Sequence, residues 1–129
     1  MGVDDPGRLG HVFAERVNAG DLEGMLALYE DVATFVGPDG VSASGSDAIR
    51  GRLEDLLAMD PQITPGVSRA VTAGDVALMF NSWRMTLRAD DGETTELDGA
   101  STEVARRQPN GSWLYVIDHP ALEAVSRQR

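Results

Sequence analysis

The chain has 129 residues, of which 42% are hydrophobic and 25% charged, ordinary values for one globular domain spanning residues 1–129. Its net charge of −10 argues against nucleic acid and anionic membrane as partners, since both are held by basic patches. There is no cysteine, and all eleven basic residues are Arg; disulfides, thiolate nucleophiles, cysteine metal sites and lysine Schiff bases are therefore excluded.

The first residues, Met1 to Pro6, carry neither a basic region nor an apolar run, so no signal peptide is expected and a cytoplasmic location is. Asp5-Pro6 predicts a helix start, with a capping side chain followed by proline in the first turn. Leu9, Val12, Phe13, Arg16 and Val17 follow at helical spacing, and Asn18-Ala19-Gly20 predicts the end of that helix. Asp21 is positioned to cap a second helix whose stripe is Leu22, Met25, Leu26 and Tyr29. Val32 to Val36 is a β-rich run stopped by Gly37-Pro38-Asp39-Gly40. Ser42 to Gly45 is predicted as a polar loop. Ser46 is predicted to cap a third helix, with Ile49, Leu53, Leu56 and Leu57 on one face, ending at Asp60-Pro61. Pro61 to Gly66 is expected to be a linker, and Val67 to Thr72 a strand before the Ala73-Gly74-Asp75 turn.

Three long strands then follow: Asp75 to Arg88, Thr94 to Arg107 and Ser112 to His119. The turns between them contain Asp91-Gly92 and Asn110-Gly111, whose residues tolerate the positive φ that tight hairpins require. An antiparallel meander is expected here, with a frayed tail after Pro120. Helices followed by antiparallel strands predict an α+β fold: three helices against one face of a strongly bent, mostly antiparallel sheet, with a pocket between them.

Three segments carry a resemblance: Asn18 to Phe35 (NAGDLEGMLALYEDVATF), Gly45 to Arg50 (GSDAIR) and Gly111 to Pro120 (GSWLYVIDHP). Together they resemble the nuclear transport factor 2-like superfamily, and within it the SnoaL-like and ketosteroid isomerase-like small proteins. The resemblance implies a cone-shaped fold with a cavity, and it covers nearly the whole chain. It is a weak guide to activity, because isomerases, cyclases, dehydratases, epoxide hydrolases and binding modules share that fold.

Ketosteroid isomerases use a tyrosine on the first helix, a general-base aspartate after the first strand and a protonated acid on a late strand; such a neutral carboxylic acid is a known pattern of pKa tuning. Alignment through the quoted segments puts Phe13 at the tyrosine, Gly37 at the base and Glu103 at the late acid. Two of the three parts are missing, so steroid isomerisation by that mechanism is not expected. The same alignment implies that Val116, Asp118 and Pro120 face the pocket. Strand alternation agrees, with Tyr115, Ile117 and His119 on the other face.

Glu103 and Asp118 could therefore face one apolar cavity and act as a proton donor and acceptor, because each raises the pKa of the other. The alternative is that Glu103 pairs with Arg84 or Arg106 across the sheet while Asp118 caps a strand end. Asn81 and Trp83 share the apolar face of their strand with Ala77, Met79, Met85 and Leu87. A polar amide on that face needs a buried partner or a ligand. Tyr29 is expected in the core with its hydroxyl toward the cavity. His119 is expected to be structural, and with His11 distant in sequence no metal site is expected. Leu78 and Phe80, on the opposite face of that strand, would suit a homodimer interface.

Three readings follow. The first is a cofactor-independent enzyme (isomerase, cyclase or hydratase type) on an apolar small molecule, with Glu103 and Asp118 catalytic and Asn81, Trp83, Tyr29, Phe13 and Val116 around the ligand. The second is a binding module for a hydrophobic metabolite, and the third an interaction domain acting through the outer sheet face.

Overall fold

The computed structural model describes residues 2–37 and 39–122. Asp5 accepts a hydrogen bond from the Gly7 backbone N–H, and Pro6–Arg8 form a single 3-10 turn. Helix α1 (Leu9–Asn18) follows, then α2 (Leu22–Leu26), capped by Asp21 through the Gly24 N–H. Strand β1 runs Tyr29–Val36 and β2 Ser42–Ser44, ahead of α3 (Ser46–Leu57). Strands β3 (Gln62–Ala73), β4 (Val76–Arg88), β5 (Thr94–Arg107) and β6 (Trp113–Leu122) complete the order.

The six strands form one sheet in the order β2-β1-β6-β5-β4-β3. All pairings are antiparallel except β1 with β6, which is parallel. The sheet is thus mixed and mostly antiparallel, and the fold is α+β as expected. The core fills the space between the helices and one sheet face, with Leu9, Val17, Met25, Ile49, Leu53, Met79 and Tyr115 fully enclosed. The β4–β5 ladder is unbroken from Val76↔Arg106 to Arg88↔Thr94. Strict alternation therefore holds along β4: Ala77, Met79 and Met85 are buried, whereas Leu78, Phe80 and Arg84 are exposed. No helix is long and apolar enough to cross a membrane among the described residues.

Several expectations need correction. Tyr29 does not extend the α2 stripe; α2 stops at Leu26 and Tyr29 opens β1. The Ser42 to Gly45 loop is instead the short strand β2, paired antiparallel with β1 through Thr34↔Ser44 and Val36↔Ser42. Ser46 is the first helical residue of α3 and not its cap. That place is taken by Gly45 at φ 89°, with no side-chain cap bond, a conformation that glycine adopts without steric cost. From Gln62 on, the expected linker Pro61 to Gly66 is instead the first part of β3, whose ladder with β4 shifts register between Pro65 and Ser68. The bulge hides this strand from a sequence reading, because Pro65 and Gly66 look like a break. At the other end β6 continues two residues past Pro120, and the rest of the expected tail, residues 123–129, lies outside the described residues.

Candidate functional site

A cavity of about 580 Å³ lies between the inner sheet face and the helices, within the range typical of small-molecule sites. Helix α1 supplies Gly10, Phe13 and Ala14 to its wall, and α3 supplies Leu53 and Leu56. The sheet supplies Ile63, Trp83, Met85, Leu87 and Leu97 as apolar surface, with Asn81, Ser101, Glu103 and Asp118 as its polar part. Arg52, Asp39 and Asp55 also line the cavity. The Arg52 guanidinium sits 5.9 Å from the Phe35 ring centroid and donates to the Val41 carbonyl at 3.0 Å.

Glu103 and Asp118 are direct cross-strand partners on β5 and β6. They are 4% and 6% exposed, and their carboxyl groups are within hydrogen-bonding reach of one another. The arginine alternative for Glu103 is not realised. Arg84 pairs with Asp98 at 2.7 Å and Arg106 with Glu30 at 2.8 Å. Instead the Asn81 amide Nδ2 donates to Glu103 Oε1 at 2.6 Å, which supplies the buried partner that an inward amide requires. Trp83 Nε1 donates to Ser101 Oγ at 3.1 Å, and Ser101 also bonds the Glu103 carboxyl. Asp118 is likewise not a strand-end cap, since its Oδ2 accepts the Tyr29 hydroxyl at 2.5 Å.

Burial pushes the Glu103 carboxyl up to about 8, helped by the charge of Asp118. Burial also raises Asp118, to about 6, against the opposing effect of the Tyr29 hydrogen bond. The two carboxyls titrate as a pair, and near neutral pH the pair holds one proton, with Glu103 the better holder. Tyr29 and Tyr115 are both driven well above the ordinary phenol range, first by burial and then by the neighbouring carboxylates. They remain neutral hydroxyls.

Of the residues named from sequence, Phe13, Asn81, Trp83, Glu103 and Asp118 all line the cavity. Val116 does not. The β5–β6 ladder steps from Val104↔Ile117 to Ala105↔Tyr115, so Val116 is the extra residue of a β-bulge, and the parity of β6 inverts there. Tyr115 takes the inward position expected of Val116; it lines the cavity and is 1% exposed. Tyr29 does not line the cavity either. It is buried behind Asp118, with its ring 5.1 Å from Tyr115 and 6.4 Å from Phe13. His119 is exposed on the opposite face from Asp118.

Two glycines belong to the site and were missed from sequence. A Cβ on Gly10 would lie 2.9 Å from Asn81 Oδ1, and one on Gly99 would fall inside the Trp83 indole. Both admit a wall side chain by having none of their own. Their signal is visible only once Gly99 is seen opposite Trp83 and α1 is seen over β4.

Solved structures share the fold at low identity. A candidate dehydratase of the nuclear transport factor 2-like family from Streptomyces avermitilis is 21% identical, with a TM-score of 0.80 over 91% of this chain and 93% of that one. A candidate calcium/calmodulin-dependent protein kinase II association domain from Xanthomonas campestris is 16% identical, with a TM-score of 0.80 over 90% and 84%. A nuclear transport factor 2-like protein with a cystatin-like fold from Novosphingobium aromaticivorans is 20% identical, with a TM-score of 0.75 over 93% and 82%. At these identities the likeness is one of fold, and the differing descriptions show how little the fold alone decides. No curated protein sequence matches the chain. The sequence profile of the SnoaL-like domain matches residues 11–113, most of the chain. By that match the chain belongs to the SnoaL-like domain family, within the nuclear transport factor 2-like superfamily.

Proposed function

We propose that the protein is a small acid–base enzyme acting on an apolar molecule held in the cavity, by a dehydration or hydration, isomerisation or cyclisation. The observation that carries this reading is the Glu103–Asp118 pair, two buried carboxyls in mutual contact on the wall of a mostly apolar cavity. Such a pair is costly to the fold, and its pKa values bracket neutrality, where a proton donor and a proton acceptor are both useful. Protonated Glu103 would give its proton to a substrate oxygen while ionised Asp118 takes one from carbon or from water. Trp83, Phe13 and Tyr115 would hold the apolar body of the substrate. A dehydratase description of one structural neighbour is compatible with this chemistry.

The test is a ligand screen by thermal shift with apolar hydroxy and keto compounds, followed by turnover assays of the parent, Glu103→Gln and Asp118→Asn. The expected result is a compound that stabilises all three proteins and is converted only by the parent. Binding without conversion by the parent would leave a binding module in place of an enzyme. Undiminished conversion by Glu103→Gln would remove Glu103 from the mechanism.

The outer sheet face supports a second property, self-association. Val71, Leu78, Val104 and Ile117 form one continuous row across β3, β4, β5 and β6. Val71 is 62% exposed, Leu78 39% and Ile117 41%, an apolar stripe suited to the same stripe on a second copy.

A further inference from the structure

The two members of the carboxyl pair are held by different donors. On the Glu103 side the donors are the Asn81 amide, at 2.6 Å to Oε1, and the Ser101 hydroxyl. On the Asp118 side it is the Tyr29 hydroxyl, at 2.5 Å to Oδ2. A phenol donating over so short a distance favours an ionised acceptor more strongly than an amide does. Asn81 and Trp83 reach the cavity, whereas Tyr29 sits behind Asp118, walled in by Phe13 and Tyr115 and carried by the strand parallel to β6. Its hydroxyl is thus built into the core, out of contact with any cavity ligand.

We infer that Tyr29 is a positioning residue that fixes the direction of the carboxyl pair, holding Asp118 as the carboxylate and leaving the shared proton on Glu103. This deepens the acid–base reading above, because it assigns donor and acceptor before any substrate enters. The groups around the pair are consistent with it. Beta strand β1 presents Tyr29, β5 presents Glu103 with Ser101, and β6 presents Tyr115, with His119 next in the chain on the outer face favouring ionised Asp118. Helix α1 brings Gly10, Phe13 and Ala14 to the cavity, none of them ionisable, while Arg52 and Asp55 of α3, with Asp39, line it as charged groups. The asymmetry therefore comes from the Tyr29 phenol on Asp118 set against the Asn81 amide and the Ser101 hydroxyl on Glu103, with His119 adding to it.

The experiment follows the carboxyl carbons of 13C-labelled Glu and Asp by NMR across pH in the parent, Tyr29→Phe and Asn81→Ala, with Glu103→Gln and Asp118→Asn assigning the signals. It needs no substrate, so a protein without turnover can still pass it, and an active one can still fail. In the parent, Glu103 is expected to be protonated at neutral pH and Asp118 ionised; the reverse would overturn the inference. Tyr29→Phe is expected to raise the Asp118 midpoint and lower that of Glu103, each by about 1 to 2 pH units, closing or inverting the gap. Asn81→Ala is expected to raise Glu103 and widen the gap, and this holds the inference to account even where Tyr29→Phe does not fold. Unmoved midpoints, or the same direction of change in both variants, would mean that these side chains only fill space.

Discussion

Glu103 stands directly opposite Asp118 across the β5–β6 ladder, so two groups that repel when charged are held together by backbone pairing. Both have folded-state pKa values above their ordinary ones. The folded chain therefore binds more protons than the unfolded chain between the ordinary carboxylate range and the raised values. In that window stability falls as pH rises, at most about 1.4 kcal/mol per pH unit for each proton.

The stability of the parent should accordingly fall from pH 5 to pH 8, while Glu103→Gln should show a flatter profile and be more stable than the parent at pH 8. Urea unfolding at several pH values measures this. A parallel pair of curves would show that Glu103 gains no proton on folding.

A second prediction concerns the end of α1. Asn18 Nδ2 donates to the Ile63 carbonyl at 2.9 Å, and Asn18 Oδ1 accepts the Ile63 N–H at 2.6 Å. One side chain thus satisfies both backbone groups of a residue at the start of the edge strand β3. Asn18→Ala leaves both without that partner and should cost about 1 to 3 kcal/mol, read as a lowered urea midpoint with an unchanged slope.

Gly99→Val should disturb the cavity wall from the sheet side. A Cβ there would lie 2.1 Å from the Trp83 ring, which must turn away and give up its bond to Ser101. The expected loss is about 1 to 3 kcal/mol, with a shift of tryptophan emission. An unaltered spectrum and midpoint would mean that the ring moves without cost.

Phe80→Arg tests the outer face. Phe80 is exposed beside Leu78 and faces away from the cavity. If the apolar row binds a second copy, sedimentation should report a dimer for the parent and a monomer for the variant, with the unfolding midpoint of dilute protein little changed. A parent that sediments as a monomer would remove the self-association reading.

Sequence patterning revealed the meander through its Asp-Gly and Asn-Gly turns, and the facing of β4 through the alternation from Ser82 to Arg88, whose parity carries back through the apolar run Val76 to Phe80 because the ladder is unbroken. It failed at β6 for a definite reason. Tyr115, Val116 and Ile117 are all apolar strand formers, so no alternation remains to mark an inserted residue, and the bulge that brings Tyr115 inward left no trace in the pattern. The acid pair was legible because the family resemblance puts Glu103 at the late acid and Asp118 at a pocket-facing position of the last strand. Tyr29 was read as core, yet its bond to Asp118 spans 89 residues and depends on a parallel pairing that no local signal announces. Asn18 was read as a helix end, which it is; its bridge to Ile63 needed β3 to be recognised as a strand.

The sheet order has a consequence for how the molecule is made. Strand β6 lies between β1 and β5, so the strands made before it fall into two groups with no ladder between them: β1 with β2, and β3 to β5. Within the sheet the two groups meet only through β6; outside it, helix α1 bridges them, through the bonds of Asn18 to Ile63. Asp118 arrives on β6, so the proton-sharing pair comes into being only in the step that closes the sheet.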